Sequence, residues 1–293
     1  MLILISDSFD PSLPGRLKEL GAEVTEDKAK LPEAEVVLVR SKTKCTKEYI
    51  DGAPKLKLII RGGVGLDNVD AAHAKQKGIL VQNTPEASSV AVAELAMALM
   101  LAAPNKLLEG HNSMQEGKWL KNELKRTELY QKTLGLLGVG RIGSEVAKRA
   151  RAFDMRVLAF DPYVTKMDLC ELKPLDEVLA KSDYLSLHMP LTDETRNFVN
   201  AERIGKMKKG VIIINTGRGK CIDEAALSKA LEEGKVACYA TDVWMSDPPP
   251  PESPLLKAPR VIQLPHIGAS TKENLLRIGD IVVQQIKAYK AKK

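Results

Sequence analysis

The chain has 293 residues and is poor in cysteine, histidine and aromatic residues. Its four cysteines are scattered, and none belongs to a CxxC pair, which argues against a zinc site or a redox-active dithiol. Aromatic residues make up 4% of the chain, too few for a platform on which single-stranded nucleic acid would stack. We therefore expect no metal and no nucleic-acid partner.

Long hydrophobic runs are also missing, and we expect no targeting leader. The amino terminus, MLILISDS, has an apolar run too short for a signal peptide and no basic residue before it. Residues 90–103 form the most apolar stretch, but this stretch is shorter than a membrane span and includes Glu94. The sequence therefore predicts a cytoplasmic protein with no membrane partner.

The composition that remains is that of a globular protein, with 44% hydrophobic and 28% charged residues. The length predicts two domains, each large enough to bury its own core. The formal net charge of +6 would attract anions. Because nucleic acid is disfavoured, we expect a small anionic substrate.

Short apolar runs alternate with helical patterns from end to end, which is typical of α/β proteins with doubly wound parallel sheets. Two such units are predicted. Strands of the first are expected at Leu2–Ile5, Val36–Arg40, Leu58–Arg61 and Ile79–Gln82, and strands of the second at Leu134–Leu137, Arg156–Phe160, Tyr184–His188, Val211–Asn215, Cys238–Asp242 and Val261–Leu264.

The stretch TLGLLGVGRIGSEVAKRARAFDMRVLAFDPY carries the strongest signal in the chain. Gly138 permits a tight turn after a strand, Gly140 lets the backbone approach a pyrophosphate, and Gly143 lets helix and strand pack closely. The N–H groups of Arg141 and Ile142 would open the following helix and face the anion. This pattern predicts a dinucleotide-binding Rossmann unit.

The preferred dinucleotide follows from Asp161. It stands about 20 residues beyond the glycines, at the end of the second strand of the unit. A carboxylate there accepts hydrogen bonds from both ribose hydroxyls and repels a 2′-phosphate. The sequence therefore predicts NAD as the cofactor.

Two further helical patterns define the domain organisation, one at Ser88–Leu108 and one at Lys272–Lys290. A terminal helix that returns to the first unit would make that unit discontinuous. We predict a flavodoxin-like substrate-binding domain of residues 1–96 and 270–293, with the NAD-binding Rossmann domain, residues 97–269, inserted into it. Ser88–Leu108 is either a buried core helix or a hinge helix that also forms a dimer surface.

Three polar segments follow predicted strands, at the edge where open α/β sheets bind their ligands. VIIINTGRGK supplies Arg218, YATDVWMSDPPPP supplies Asp242 and Asp247, and VIQLPHIGAST supplies His266. Taken alone, an arginine after a strand is more often part of a surface ion pair, and a histidine between proline and isoleucine is more often a packed structural residue. Next to a carboxylate and a bound nicotinamide, the histidine becomes a proton carrier.

Several segments in this order resemble the D-isomer-specific 2-hydroxyacid dehydrogenase family, and within it the chain is most similar to the phosphoglycerate dehydrogenases. The similarity covers nearly the whole chain. The matching segments are RGGVGLDNVD, NTPEASSVAVAEL, LGVGRIG, DYLSLHMPLTDETRNFVN, MKKGVIIINTGRGKCIDEAAL, ATDVW and PHIGAST.

The resemblance implies roles for the polar segments. Arg218 would be the substrate-binding arginine, His266 the acid/base, and Asp247 the acid that orients the histidine. The family usually has glutamate at this last position, so the carboxylate here is one methylene shorter. We expect its hydrogen bond to His266 to be long or to need a shifted loop.

By the same resemblance, other residues serve the cofactor and the substrate. Those expected to bind NAD, besides the glycine turn and Asp161, are His188, Pro190, Thr216 and Asp242. Those expected to bind the substrate are Arg40, Arg61, Gly62, Gly63, Val64, Lys125 and Arg126. An ordinary loop at the glycines and solvated surface charges elsewhere remain the alternatives.

Three functions follow as hypotheses. The first is NAD-dependent oxidation of D-3-phosphoglycerate, the entry to serine synthesis, by a homodimer that meets through the Ser88–Leu108 region. The second is reduction of glyoxylate or hydroxypyruvate, or another D-2-hydroxyacid reaction. The third is an NAD-sensing protein similar to transcriptional corepressors, with little need for turnover.

Overall fold

The computed structural model describes residues 1–292, which divide into two compact units. The first unit contains Met1–Ala91 together with the residues from Ala269 onward, and the second is Val92–Gly268. The first unit is therefore discontinuous in sequence. Each unit is built on its own parallel sheet with helices on both faces.

The first unit has a five-stranded parallel sheet in the order β2-β1-β3-β4-β5, the flavodoxin-like order. Sequence analysis missed β2, because three partly exposed residues at a sheet edge carry no apolar run. The strands are β1 (Leu2–Ile5), β2 (Glu23–Thr25), β3 (Val36–Val39), β4 (Leu58–Arg61) and β5 (Leu80–Asn83), and the helices are α1 (Leu13–Glu19), α2 (Lys47–Asp51), α3 (Ala71–Gln76) and α10 (Lys272–Lys290).

Alternating strand residues of this sheet bury two separate cores. On one face, Ile3, Leu38 and Ile60 pack with residues of α1 and α10. On the other face, Val37 and Ile59 pack with residues of α2 and α3. Because both faces are covered, the strands consist almost entirely of aliphatic residues.

The second unit has a seven-stranded parallel sheet in the order β12-β11-β10-β9-β6-β7-β8. The strand order reverses between β6 and β9, which is the switch point where doubly wound sheets bind nucleotides. Its strands are β6 (Thr133–Leu137), β7 (Arg156–Phe160), β8 (Glu171–Leu172), β9 (Tyr184–Leu187), β10 (Val211–Asn215), β11 (Val236–Thr241) and β12 (Val261–Gln263). Its helices are α4 (Ser89–Asn105, which begins in the first unit), α5 (Leu107–Gln115), α6 (Arg141–Ala152), α7 (Leu175–Lys181), α8 (Ala201–Lys206) and α9 (Glu224–Glu232).

The helix predicted at Ser88–Leu108 is interrupted. Pro104 lies in the last turn of α4, where it removes one backbone donor, and Lys106 has a φ of +55°, which ends α4 and begins α5. Most of α4 is buried in the core of the second unit, so the core-helix interpretation holds for this segment.

Among residues 1–292, no single helix has the length and apolarity needed to cross a membrane. Only α4 and α5 taken together reach that length, and they are bent by 62°.

Candidate active site

The turn after β6 has the geometry of a dinucleotide-phosphate site. Gly138 has a φ of +93°, and a Cβ there would lie 3.0 Å from the backbone of His188. A Cβ on Gly143 would collide with the carbonyl oxygen of Gly138. Nothing lies within 4 Å of the position that a Cβ on Gly140 would take. Two of the glycines are therefore required by packing, and the third leaves open space for a ligand.

The helix after this turn favours an anion. α6 is twelve residues long, starts at Arg141, and has no side-chain cap at its amino end. The first N–H groups of such a helix and its dipole attract phosphate. Arg141 and Ile142 are the first two residues of this helix, and their contact with a pyrophosphate stays a prediction.

Asp161 is held beside the same turn. Its Oδ2 accepts a hydrogen bond from the Val139 N–H at 3.0 Å, and its Oδ1 accepts one from the Tyr163 N–H at 2.9 Å. Each carboxylate oxygen keeps a second lone pair for a further donor. This arrangement is compatible with the predicted contact between Asp161 and the ribose hydroxyls, which stays a prediction.

His188 supports the turn from β9. Its N–H donates to the Leu137 carbonyl at 2.8 Å, and its Nε2 lies 2.9 Å from the Ser186 Oγ. The Nδ1 is buried without a hydrogen-bond partner. Burial lowers the pKa of His188 to about 4, so the ring is uncharged at neutral pH. Pro190, two residues further on, accepts the Thr195 hydroxyl through its carbonyl at 2.7 Å.

The three predicted catalytic residues follow the neighbouring strands β10, β11 and β12, whose carboxyl ends share one sheet edge. The Nδ1 of His266 forms a direct hydrogen bond with the Oδ2 of Asp247. The long contact expected for the shorter carboxylate is therefore not observed. Since a carboxylate only accepts, Nδ1 carries the proton and Nε2 is the basic nitrogen of the neutral ring.

The loop that carries His266 is anchored on both sides. Asp242 is 2% exposed and accepts the N–H groups of Ile267 at 2.8 Å and Gly268 at 2.7 Å. Burial raises the pKa of Asp242, and these two hydrogen bonds oppose the rise. Before the histidine, the Leu264 carbonyl accepts the indole N–H of Trp244 at 3.0 Å. The resemblance assigns Asp242 to the nicotinamide side, and in the structure both its oxygens also hold this loop.

Asn215 shapes the turn that carries Arg218. Its amide oxygen accepts the Gly217 N–H at 3.0 Å, and its Nδ2 donates to the Arg218 carbonyl at 3.0 Å. Thr216 places a buried hydroxyl without a partner in the same turn, which fits a ligand group. Sequence analysis missed Asn215 and Trp244. The signal that the sequence offered for Asn215 is a polar residue directly after the aliphatic residues 211–214. In the structure this asparagine is fully buried.

In the first unit, the turn after β4 leaves three consecutive donors without acceptors. The Gly63 carbonyl accepts the Thr84 N–H at 3.0 Å, and the Val64 carbonyl accepts the Asn83 Nδ2 at 2.6 Å. Among residues 1–292, the N–H groups of Gly63, Val64 and Gly65 donate no hydrogen bond. A row of free N–H groups suits a carboxylate. Asn83 and Thr84 were also missed by sequence analysis.

Packing requires both glycines at the start of this turn. A Cβ on Gly62 would lie 2.6 Å from the Phe9 ring. Gly63 has a φ of +147°, and a Cβ there would overlap the Arg61 guanidinium. The arginine therefore lies directly against the turn.

The remaining predicted substrate residues are divided between the units. Arg40 follows β3 in the first unit, and its guanidinium donates to the carbonyls of Ser8 at 3.4 Å and Ala269 at 3.2 Å. Lys125 and Arg126 are exposed residues of the second unit, between α5 and β6. A single phosphate site formed by Arg40, Arg61, Lys125 and Arg126 stays a prediction.

Three features of the second unit together define a nucleotide-dependent oxidoreductase. They are a glycine turn at the switch point of a doubly wound sheet, an aspartate directly after the next strand, and a carboxylate–histidine pair. No group of three or more histidine, cysteine or acidic residues within the described part of the chain could hold a metal.

The chain belongs to the D-isomer specific 2-hydroxyacid dehydrogenase family, since the family model for the NAD binding domain matches residues 97–268. It is an oxidoreductase of that family, and its cofactor is NAD.

Similar proteins of known name fall into more than one branch. A hydroxypyruvate reductase of Thermotoga maritima is 50% identical over 87% of this chain and 85% of its own length. A D-3-phosphoglycerate dehydrogenase of Methanocaldococcus jannaschii is 46% identical over 88% of this chain, which spans 50% of that protein. The crystal structure of a D-lactate dehydrogenase from Aquifex aeolicus with NAD and lactic acid is 34% identical, with a TM-score of 0.89 over 99% of this chain and 95% of that one.

Proposed function

We propose that the enzyme oxidises D-3-phosphoglycerate to 3-phosphohydroxypyruvate with NAD, as the first step of serine biosynthesis. The observation that carries this choice is the pair Arg40 and Arg61. They stand at the carboxyl ends of the paired strands β3 and β4, next to the turn with free N–H groups. A phosphate needs such cations, whereas glyoxylate does not.

The proposed chemistry follows from the second unit. The glycine turn and Asp161 would hold NAD, which would supply the acceptor for the hydride that leaves the C2 carbon of the substrate. The Nε2 of His266 takes the proton of the C2 hydroxyl, and Asp247 stabilises the imidazolium that forms. Arg218 binds the substrate carboxylate and the C2 oxygen, which orients the carbon for transfer. In the reverse direction, the same imidazolium donates the proton.

In the first unit, substrate binding is assigned to the turn after β4 and to two arginines. The N–H groups of Gly63 and Val64 bind the carboxylate, and Arg40 and Arg61 bind the phosphate. By the family resemblance, Lys125 and Arg126 add charge to the phosphate site, from the neighbouring subunit.

A second candidate is reduction of hydroxypyruvate. It is favoured by the 50% identity to the Thermotoga maritima enzyme, of which this chain covers 85%. Hydroxypyruvate has the same three-carbon skeleton as 3-phosphohydroxypyruvate and lacks only the phosphate. The two proposals therefore share the chemistry and differ only in the role of the arginines.

A substrate panel decides between them. NADH absorbance is followed with 3-phosphoglycerate, glycerate and D-lactate in oxidation, and with glyoxylate, hydroxypyruvate and 3-phosphohydroxypyruvate in reduction. We expect the highest kcat/KM for 3-phosphoglycerate among the oxidised acids, and its loss in Arg40→Ala. Higher efficiency with hydroxypyruvate than with its phosphorylated form selects the second candidate, and turnover of none of them selects the NAD-sensing alternative.

We also propose a homodimer, whose surface includes the end of the predicted Ser88–Leu108 region and extends beyond it along α5. Most of α4 is buried, whereas Leu107 and Met114 of α5 are 57% and 56% exposed. Trp119, shortly after α5, is 73% exposed. An apolar group of this kind is typical of an interface between subunits. Sedimentation of Trp119→Asp tests this, and a wild-type protein that sediments as a monomer contradicts it.

A further inference from the structure

The loop between β3 and α2 begins with Arg40. It is hydrogen-bonded to Asp7, which lies two residues after β1. The carboxylate of Asp7 accepts the Arg40 N–H at 2.6 Å and the Thr43 N–H at 3.1 Å, both through Oδ2. Its Oδ1 accepts the Thr43 hydroxyl at 2.7 Å. One carboxylate thus makes three hydrogen bonds to a single loop, one at Arg40 and two at Thr43.

A second side chain secures the opposite groups of the same loop. The Nδ2 of Asn68 donates to the Arg40 carbonyl at 2.7 Å and to the Thr43 carbonyl at 2.6 Å. The N–H and the C=O of both Arg40 and Thr43 are therefore occupied by two side chains. The backbone that carries the Arg40 side chain has little freedom left.

The guanidinium of Arg40 is held in turn, yet its charge is not neutralised by an ion pair. It donates to the Ser8 and Ala269 carbonyls, and none of the acidic groups in the described chain forms an ion pair with it. Burial lowers the pKa of Arg40, and the nearby charge of Asp7 opposes this shift. A cation fixed by carbonyl groups is prepared for an anionic ligand.

We propose that Asp7 is a positioning residue for substrate specificity. It fixes the loop from Arg40 to Thr43 so that the Arg40 guanidinium is preorganised for the phosphate of the substrate. Asp7 touches neither the cofactor nor the reacting carbon in this assignment, and it acts only through Arg40. The inference rests on the proposed function, in which Arg40 binds that phosphate.

The hydrogen-bond pattern itself provides a conservative variant. In Asp7→Asn, the amide oxygen can take the place of Oδ2 and accept both N–H groups, while the amide nitrogen donates to the Thr43 hydroxyl. The side chain keeps its shape and its three hydrogen bonds, and loses only its charge. In Asp7→Ala, all three hydrogen bonds are lost.

The test compares steady-state kinetics of these two variants on 3-phosphoglycerate and on glycerate. We expect Asp7→Ala to raise the KM for 3-phosphoglycerate about tenfold, with the kcat and the KM for glycerate changed less than about twofold. Asp7→Asn should restore the KM for 3-phosphoglycerate to within about threefold of the wild type. Thr43→Val, which removes one of the three hydrogen bonds, should raise the KM about threefold and keeps the test valid if Asp7→Ala does not fold.

Asp27→Ala is the matched control. The Asp27 carboxylate also accepts a backbone N–H in the first unit, that of Ala29 at 3.0 Å, at the start of a 3₁₀ helix. This variant should leave both KM values unchanged, and thermal unfolding of all variants reports their stability.

Two results would overturn the role of Asp7. One is an equal rise in KM on both substrates, and the other is an effect of Asp7→Asn as large as that of Asp7→Ala. An Arg40→Ala variant that binds 3-phosphoglycerate normally would instead overturn the phosphate site of the proposed function. A large effect of Arg40→Ala beside no effect of Asp7→Ala and Thr43→Val would overturn only this inference.

Discussion

Each unit of the protein has a glycine turn directly after a strand of its parallel sheet, and the two turns prepare backbone N–H groups in different ways. The turn of the second unit, Gly138 to Gly143, opens the twelve-residue helix α6, so its donors are free because a helix begins there. The turn of the first unit, Gly62 to Gly65, opens no helix directly. Asn83 and Thr84 bind the carbonyls of this turn and hold it in the conformation in which its N–H groups are free.

The comparison shows that one chemical feature can be local or tertiary in origin. The donors at α6 follow from the spacing of glycines within seven residues, which any reader of the sequence can see. The donors at Gly63 and Val64 depend on residues about 20 positions later, at the end of β5. We expect the turn of the second unit to tolerate changes elsewhere in the fold, and the turn of the first unit to depend on the residues that contact it.

The largest effect should come from His266→Ala. This variant distinguishes the catalytic step from cofactor binding at the glycine turn of the same unit. The Nε2 that takes the proton is lost, and no contact of the glycine turn changes, so kcat should fall about 100- to 10,000-fold. NADH affinity, measured by fluorescence titration, should stay within about twofold. Loss of NADH binding would show that the histidine supports the cofactor site.

Gly140→Ala addresses the turn of the second unit alone. Its Cβ meets no protein atom within 4 Å, so folding should be unaffected, and the methyl group should occupy space that the pyrophosphate needs. We expect the KM for NAD to rise about thirtyfold while the KM for the organic acid hardly changes. Gly205→Ala, also with nothing within 4 Å, is the matched control. An unchanged KM for NAD would remove Gly140 from the cofactor site.

Gly63→Ala is the corresponding change in the first unit. Here the backbone φ of +147° and the Arg61 guanidinium both oppose a side chain, so the turn should move. The KM for the organic acid should rise about tenfold and the KM for NAD should not. If instead NAD binding weakened and substrate binding did not, the assignment of the two turns would be reversed.

The smallest effect concerns pH, because the half-buried His188 packs against the cofactor turn. Burial lowers the pKa of His188 from 6.5 to about 4, so between these values the unfolded chain binds a proton that the folded protein does not. Stability is therefore lost as the pH falls below 6.5. Urea unfolding at pH 8 and at pH 5 gives the free energy of unfolding that is lost between these two pH values. We expect this loss to be about 1 to 2 kcal/mol smaller in His188→Asn than in the wild type. An equal difference in both proteins would show that His188 does not titrate in this range.

The architecture was predictable wherever burial leaves its mark on the sequence. Strands covered on both faces, such as β3 and β10, are continuous aliphatic runs, and the predicted α/β fold with two parallel sheets is confirmed. The edge strands β2 and β8 have two or three partly exposed residues and were missed. The end of α4 was missed because Lys106 enters a left-handed conformation that its residue type does not indicate.

By itself, the sequence determined the class of protein: the glycine turn, the aspartate after β7 and the order of strands and helices are local patterns, since neighbouring residues create them. Only the tertiary structure decided which polar groups meet. The contacts of Asp247 with His266 and of Asn83 with Val64 join residues about 20 positions apart, and that of Asp7 with Thr43 joins residues 36 apart. Parallel sheets bring the ends of distant strands to one edge, and no pattern along the chain specifies which side chains there hold one another.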